Sequence, residues 1–252
     1  MKFENTIKKL SAFVASFFLF FLCAGMYLQI KGFIMTPDGK IVLVNPAQAQ
    51  QTAENETSVP VPGEISTKVD PQVNIILPKG HILGQENAPI TIYEYSSFGC
   101  FHCADFHLDT LPQLEKDFID TGKVKLVFAS FPLDKKSMQA AMLSECIPQE
   151  NYHAFLNTVF KNQREWGLSL RSDKILSDYA ALNGITKEKA LECMKDDKIA
   201  KEIVEGRQEA IDKLKIQGTP AFLIISDEGK EVIHGAPSYQ ALKALLEKRL
   251  KN

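Results

Sequence analysis

The chain has almost no excess charge: 29 Lys and Arg against 31 Asp and Glu leave a formal net charge of −2 over 252 residues. It also has no basic run interleaved with aromatics of the kind a phosphate backbone requires, which argues against nucleic-acid binding. No internal repeat is present. Cysteines are few, and the remaining metal-ligand types are scattered: outside the pair Cys100 and Cys103, candidates such as His81, His107, Cys146 and Cys193 stand far apart, with no second pair at short spacing. A zinc site is therefore not expected. What is present, 45% hydrophobic and 24% charged residues, describes an ordinary globular chain with one sizeable core plus appendages.

The N-terminus indicates the compartment. Lys2, Lys8 and Lys9 precede "SAFVASFFLFFLCAGMYLQI", an uncharged run of about 20 residues that as a helix would be roughly 30 Å long, enough to cross a bilayer. The positive flank should stay in the cytoplasm, so everything after residues 1–30 is exported, either released after signal cleavage or anchored to the membrane by this segment alone. "AQA" at residues 47 to 49 resembles a cleavage site but stands far from the apolar run, and a cut near Ala24 is the alternative. Cys23 reads as one more apolar residue, since Leu22 before it is bulky where a lipobox has a small residue. The domain then faces an oxidising space.

Residues 31–72 read as a linker. "FIMTPDGKIVLV" has the turn Pro-Asp-Gly of a short hairpin, and "QTAENETSVPVPGEISTKVDPQ" is polar and without apolar period. From Val73 the pattern is dense. "VNIIL", "ITIYEY" and "VKLVFASF" read as strands, with a helix from about Cys100 that Pro112 should kink or restart. Tyr152, Phe155, Leu156, Val159 and Phe160 recur at helical spacing, and helices are expected over Ile175 to Leu182, Thr186 to Met194 and residues 197 to 214. "AFLIIS" and "EVIH" flank "DEGK" as a hairpin before a closing helix through Leu242, Leu245, Leu246 and Leu250. The order is that of an α/β domain, residues 73–252, with an all-helical block over about 135–200.

That order gives a setting to "SSFGCFHCADF", residues 96 to 106. A sulfur at the N-terminus of the helix meets unpaired N–H groups and the positive end of the dipole, so the pKa of Cys100 should fall. Cys103 lies one turn later on the same face, within disulfide reach and more buried. His102 between them can add positive charge. A stabilised thiolate stabilises the reduced form and makes the disulfide a stronger oxidant. An inert bridge is the alternative, although it would close too short a loop to restrain much chain entropy.

"QGTPAFLI", residues 217 to 224, puts Thr219-Pro220 directly before a strand, where proline lacks a backbone donor and is readily cis. With this element the chain resembles the thioredoxin fold, and the helical block between its two parts resembles the DsbA family of thiol:disulfide oxidoreductases. "APITIYEYSSFGCFHCADFH", "LPQLEKDFIDTGKVKLVFASFPLD" and "LKIQGTPAFLI" are similar to that family's signature stretches, and the likeness covers about residues 73 to 252.

The resemblance implies a nucleophile at Cys100, a resolving thiol at Cys103, and a dipeptide, Phe101 and His102, that tunes the potential. Many relatives have proline where this chain has Phe101. It implies that Thr219 and a cis Pro220 hold the substrate strand, and that Glu94 is a buried carboxylate able to take a proton from the resolving thiol. An outward-facing strand residue is the alternative for Glu94. Cys146 and Cys193 fall on apolar helical stripes with Met138, Met142, Ala190 and Met194. Both read as core residues, and in an oxidising compartment they form a bridge or remain as buried free thiols. The bridge is preferred, since some DsbA relatives carry a second, structural disulfide there.

The expectation is a thioredoxin-fold enzyme without bound cofactor, in the periplasm of a Gram-negative-type bacterium, that passes its disulfide to exported, folding proteins. The family implies a DsbB-type membrane reoxidase as partner. Two rival functions are an isomerase or reductase working from the reduced pair, and a non-enzymatic holdase that binds unfolded chains above Pro220.

Overall fold

The computed structural model describes residues 33–35, 41–43, 65–78 and 80–251. The segment read as membrane-crossing, Cys23 and the "AQA" site lie outside these. Among the described residues no helix is long and apolar enough to cross a membrane. The chain divides into two units, Met1–Val59 and Pro60–Asn252. In the first, β1 (Phe33–Met35) and β2 (Ile41–Leu43) pair antiparallel as the hairpin expected from the Pro-Asp-Gly turn.

The second unit is built on a six-stranded sheet. Its strands are β3 (Ile65–Lys68), β4 (Ile82–Leu83), β5 (Ile90–Ser96), β6 (Val124–Ser130), β7 (Ala221–Ser226) and β8 (Gly229–His234), in the spatial order β3-β8-β7-β5-β6-β4. β5 lies at the centre, parallel to β6 and antiparallel to β7, and the other pairs are antiparallel. Strand periodicity sets its two faces. Ile90 and Ile92 pack with Phe106, Leu111, Leu114 and Phe118 of the helical segment that follows, and Tyr95 turns to the opposite face with Ala210 and Leu214. Glu94 and Ser96 continue the first of these faces and are buried there.

Two strand expectations need correction. "VNIIL" is not a strand: Val73 N–H donates to the Asp70 carbonyl at 3.0 Å in a turn, Ile76 N–H to Glu209 Oε1 at 3.1 Å, and Lys230 Nζ to the Val73 carbonyl at 3.4 Å. The edge position is taken by β3, which lies inside the segment read as linker. β3 carries the exposed residues Ser66, Thr67 and Lys68 and joins the sheet through its backbone ladder with β8, so it leaves no apolar alternation to read.

After β5 the chain runs helically from α1 (Phe101–Asp105) through a π turn at Phe106–Thr110, α2 (Leu111–Leu114) and a second π turn at Glu115–Ile119. Pro112 restarts the ladder as expected, sitting in the first turn of α2 where its missing N–H matters least. The wide turns on either side keep the path continuous.

The helical block consists of α3 (Lys135–Ser144), α4 (Gln149–Lys161), α5 (Gln163–Leu168), α6 (Ser172–Ala181) and α7 (Lys187–Cys193). α8 (Asp197–Leu214) then crosses back to the sheet, and α9 (Tyr239–Arg249) closes the chain. Asp134 caps α3 in a reciprocal box with Ser137, and Asp196 caps α8. Gly184, at φ +95, turns the chain between α6 and α7 where Asn151 would lie 2.7 Å from any Cβ.

Cys146 and Cys193 are bridged, tying the end of α3 to the end of α7 across 47 residues of chain. Cys193 is buried and Cys146 only half-buried, a correction to the expectation that both are core residues: Cys146 lies beyond the last turn of α3, where the buried stripe reaches the surface.

A loop of that length, once opened, returns roughly 4 kcal/mol of chain entropy to the unfolded state. Replacing both cysteines by alanine should lower stability by about 2–4 kcal/mol in urea unfolding, while the reactivity of Cys100 stays unchanged.

Candidate active site

Cys100 stands where β5 gives way to α1. Its N–H donates to the Ser97 carbonyl at 3.0 Å, its backbone is extended as the N-cap (φ −86, ψ 122), and its own carbonyl accepts from Ala104 N–H at 3.2 Å. The turn needs Gly99, because a Cβ there would lie 2.9 Å from Asp134 Oδ2 at the N-terminus of α3. From the other side Gln163, the first residue of α5, donates through Nε2 to the carbonyls of Phe98 at 2.6 Å and Cys100 at 2.9 Å. The helical block thus grips the loop that carries Cys100.

Both thiols are free; Cys100 is half-buried and Cys103 fully buried. The Cys100 thiol is pulled down from about 9 to about 5. The adjacent Cys103 thiol contributes most to this, followed by the Thr219 hydroxyl and the backbone N–H groups of Cys103 and His102, against a desolvation that works the other way. Thr219 Oγ1 has no other hydrogen-bond partner and is free to turn toward the sulfur. The neutral thiol donates to the Thr219 carbonyl at 3.3 Å. Cys103 moves in the opposite direction: burial raises its pKa, Cys100 and the Glu94 charge add to the rise, and the Ser96 hydroxyl offsets part of it.

The Thr219-Pro220 peptide is cis, and the loop that carries it faces Cys100 across the contact just described. A groove of about 480 Å³ lies along this loop, lined by Gln217, Gly218, Thr219, Pro220 and His234. Phe101 is largely exposed. His102 brings a backbone N–H to the sulfur, while its imidazole is exposed with Asp105 Oδ2 at 3.6 Å.

Glu94 is wholly buried, which removes the outward-facing alternative. Its Oε2 lies 2.8 Å from Nε2 of His107, itself buried four residues after Cys103. His107 stacks on Phe160 with ring centroids 4.4 Å apart. In the sequence His107 stands only as one of several scattered ligand types, and Gln163 belongs to no motif. The spacing Cys103 to His107, one helical turn, was the available signal for His107.

A strand-to-helix dithiol facing a cis-proline loop, on a sheet whose strand β5 runs parallel to β6 and antiparallel to β7, with a helical block let into it, defines a thioredoxin-fold protein with an exchangeable cysteine pair. The family described as Thioredoxin matches residues 77–248. The probable disulfide bond formation protein D of Bacillus anthracis is 30% identical over 180 residues, 67% of this chain and 77% of that one. A putative protein-disulfide oxidoreductase of Rickettsia bellii is 31% identical over 144 residues, 57% of this chain. The chain spans 56% of that relative's length. The crystal structure of Wolbachia pipientis α-DsbA1 superposes with a TM-score of 0.63 at 34% identity, covering 70% of this chain and 94% of that one. That of oxidised BdbD from Bacillus subtilis gives 0.61 at 27%, covering 69% and 94%. The chain belongs to the DsbA-like family of thioredoxin-fold proteins.

Thiolate absorbance of the reduced protein should titrate with a midpoint at about pH 5. Because the folded pKa lies below the unfolded one, the ionised thiol stabilises the reduced fold fully above about pH 9, and this stabilisation is lost as pH falls through about 5. Urea midpoints of reduced and oxidised protein should therefore shift in favour of the reduced form as pH rises across that interval. Thr219→Val, lacking the hydroxyl, should raise the titration midpoint.

Proposed function

We propose that the chain is a thiol:disulfide oxidoreductase that donates its Cys100–Cys103 disulfide to the thiols of exported, folding proteins. The observation that carries this reading is the opposed ionisation of the two thiols. A substrate thiolate attacks the accessible sulfur of Cys100, Cys103 leaves, and a mixed disulfide forms between Cys100 and the substrate. A second substrate thiol then attacks its own sulfur in that bond, and Cys100 departs as the stabilised thiolate. Low basicity makes it a good leaving group, which favours transfer of the disulfide to the substrate.

The groove along Thr219 and Pro220 supports an extended substrate strand held beside Cys100. Exposed Phe101 and Leu168, both lining a cavity of about 220 Å³ on the other side of the loop, offer an apolar rim suited to unfolded chains. Reoxidation falls to a membrane partner of the DsbB type, and the place of work is the periplasm, with the N-terminal segment as the route there. The Bacillus and Wolbachia relatives, named for disulfide bond formation and as DsbA, support the oxidative direction.

Cys103→Ala removes the internal resolving thiol, so mixed disulfides between the protein and its substrates should accumulate in the exporting cell and appear on non-reducing gels. Cys100→Ala should form none. Adducts on Cys103 in the absence of Cys100 would overturn the assignment of nucleophile.

A further inference from the structure

Cys103 must lose a proton each time the pair is reoxidised and gain one each time it is reduced, yet its sulfur is out of contact with water. An uncompensated buried charge is costly, so the proton needs a partner that stays neutral overall. Glu94 and His107 are such a pair. Their side chains are wholly buried, and they share one hydrogen bond of 2.8 Å. Each also has a second polar atom, Glu94 Oε1 and His107 Nδ1, without a hydrogen-bond partner.

His107 forms part of the wall of a cavity of about 170 Å³, lined also by Leu126, Phe128, His81, Tyr152 and His153. A water needs only about 10–15 Å³ of such space, together with polar partners. The two other histidines are part-exposed, so the cavity wall runs from buried His107 to residues that reach the surface.

We propose that His107 is the proton outlet of the resolving thiol, and that the cavity behind it connects the Glu94–His107 pair to solvent. The proposal rests on the reading of Cys103 as the resolving thiol. The step begins with a mixed disulfide on Cys100. Cys103 passes its proton to Glu94 Oε1, and His107 releases the Nδ1 proton to cavity water. The Cys103 thiolate attacks Cys100 Sγ, the Cys100–Cys103 bond forms, and the bond from Cys100 to the departing sulfur breaks, that sulfur leaving with the electron pair. The buried pair has gained one proton and lost one, so its net charge does not change. When a substrate thiolate next opens the disulfide, Cys103 takes the proton back from Glu94, and His107 recovers one from water.

The groups facing this route agree with it. From the sheet side come Glu94 and, through α1, Cys103. From α4 come Tyr152, whose hydroxyl is held un-ionised by burial, and His153, whose pKa is raised by Glu115 at 2.8 Å; Glu150 of the same helix also lines the cavity. His81, stacked on Tyr152 with centroids 3.7 Å apart, is lowered by burial and so available as a neutral acceptor. His107 is a positioning and proton-transfer residue and does not touch the reacting sulfurs.

The test is single-turnover reoxidation of the reduced full-length chain by saturating oxidised glutathione, with resolution by Cys103 followed against pH. His107→Phe keeps a ring to stack on Phe160 but has no nitrogen. His107→Gln keeps a donor to Glu94 but cannot take up and release a proton. Both should slow resolution on the order of 10²-fold near neutrality, with rates that climb with hydroxide concentration where the unsubstituted protein levels off. Alkylation of Cys100 by iodoacetamide should keep its rate and its pH midpoint. Variant profiles that superpose on that of the unsubstituted protein would overturn the inference, and so would an equal loss of alkylation rate. Resolution in the unsubstituted protein that is unchanged in deuterium oxide would overturn it without any variant. Alkylation that falls on Cys103 instead of Cys100 would instead reject the underlying assignment of the two thiols.

Discussion

The site depends on holding one thiol ionised and its neighbour un-ionised, a single helical turn apart. Cys100 meets the end of the helix, two backbone N–H groups and a hydroxyl from the cis-proline loop, while Cys103 meets the core. The two are mutually dependent. The proton retained on Cys103 is what donates to the Cys100 thiolate, and the largest influence lowering one thiol is the neighbour whose own ionisation burial suppresses. Anything that let water reach Cys103 would weaken both halves.

The helical block has a mechanical part in this. Gln163 fixes the carbonyls of Phe98 and Cys100, Asp134 leaves no room beyond Gly99 for a side chain, and Phe98 and Cys103 are counted in the same buried cluster as Trp166, Phe155 and Phe160. The bridge between Cys146 and Cys193 closes that block on itself. A loop fixed in this way keeps the Cys100 sulfur aimed at the N–H groups, which a freely moving turn would not do.

Much of this was legible in the sequence. Cys100, Cys103 and Thr219-Pro220 carry their chemistry in residue type and spacing, and the span 197 to 214 was readable because α8 has a strong apolar stripe and an Asp cap. The edge of the sheet was not. β3 pairs with β8 through its backbone and shows no apolar alternation, and "VNIIL" has the composition of a strand but lies between Pro71 and Pro78, with Ile76 N–H on Glu209 and the Val73 carbonyl on Lys230. Nor could the sequence pair His107 with Glu94, since that contact joins two elements whose facing depends on strand register, and a single-residue slip would have turned Glu94 to the other face. Gln163 left no signal: a lone glutamine in a polar run becomes a site residue only through where α5 docks.

The central claim is that stabilising the Cys100 thiolate makes the Cys100–Cys103 disulfide a strong oxidant. The most direct measurement is the reduction potential of the pair by equilibration with glutathione. The account predicts a value toward that of DsbA, about −120 mV, because the reduced form is the favoured one. A value close to that of thioredoxin, about −270 mV, would contradict it and point to a protein that works from the reduced pair.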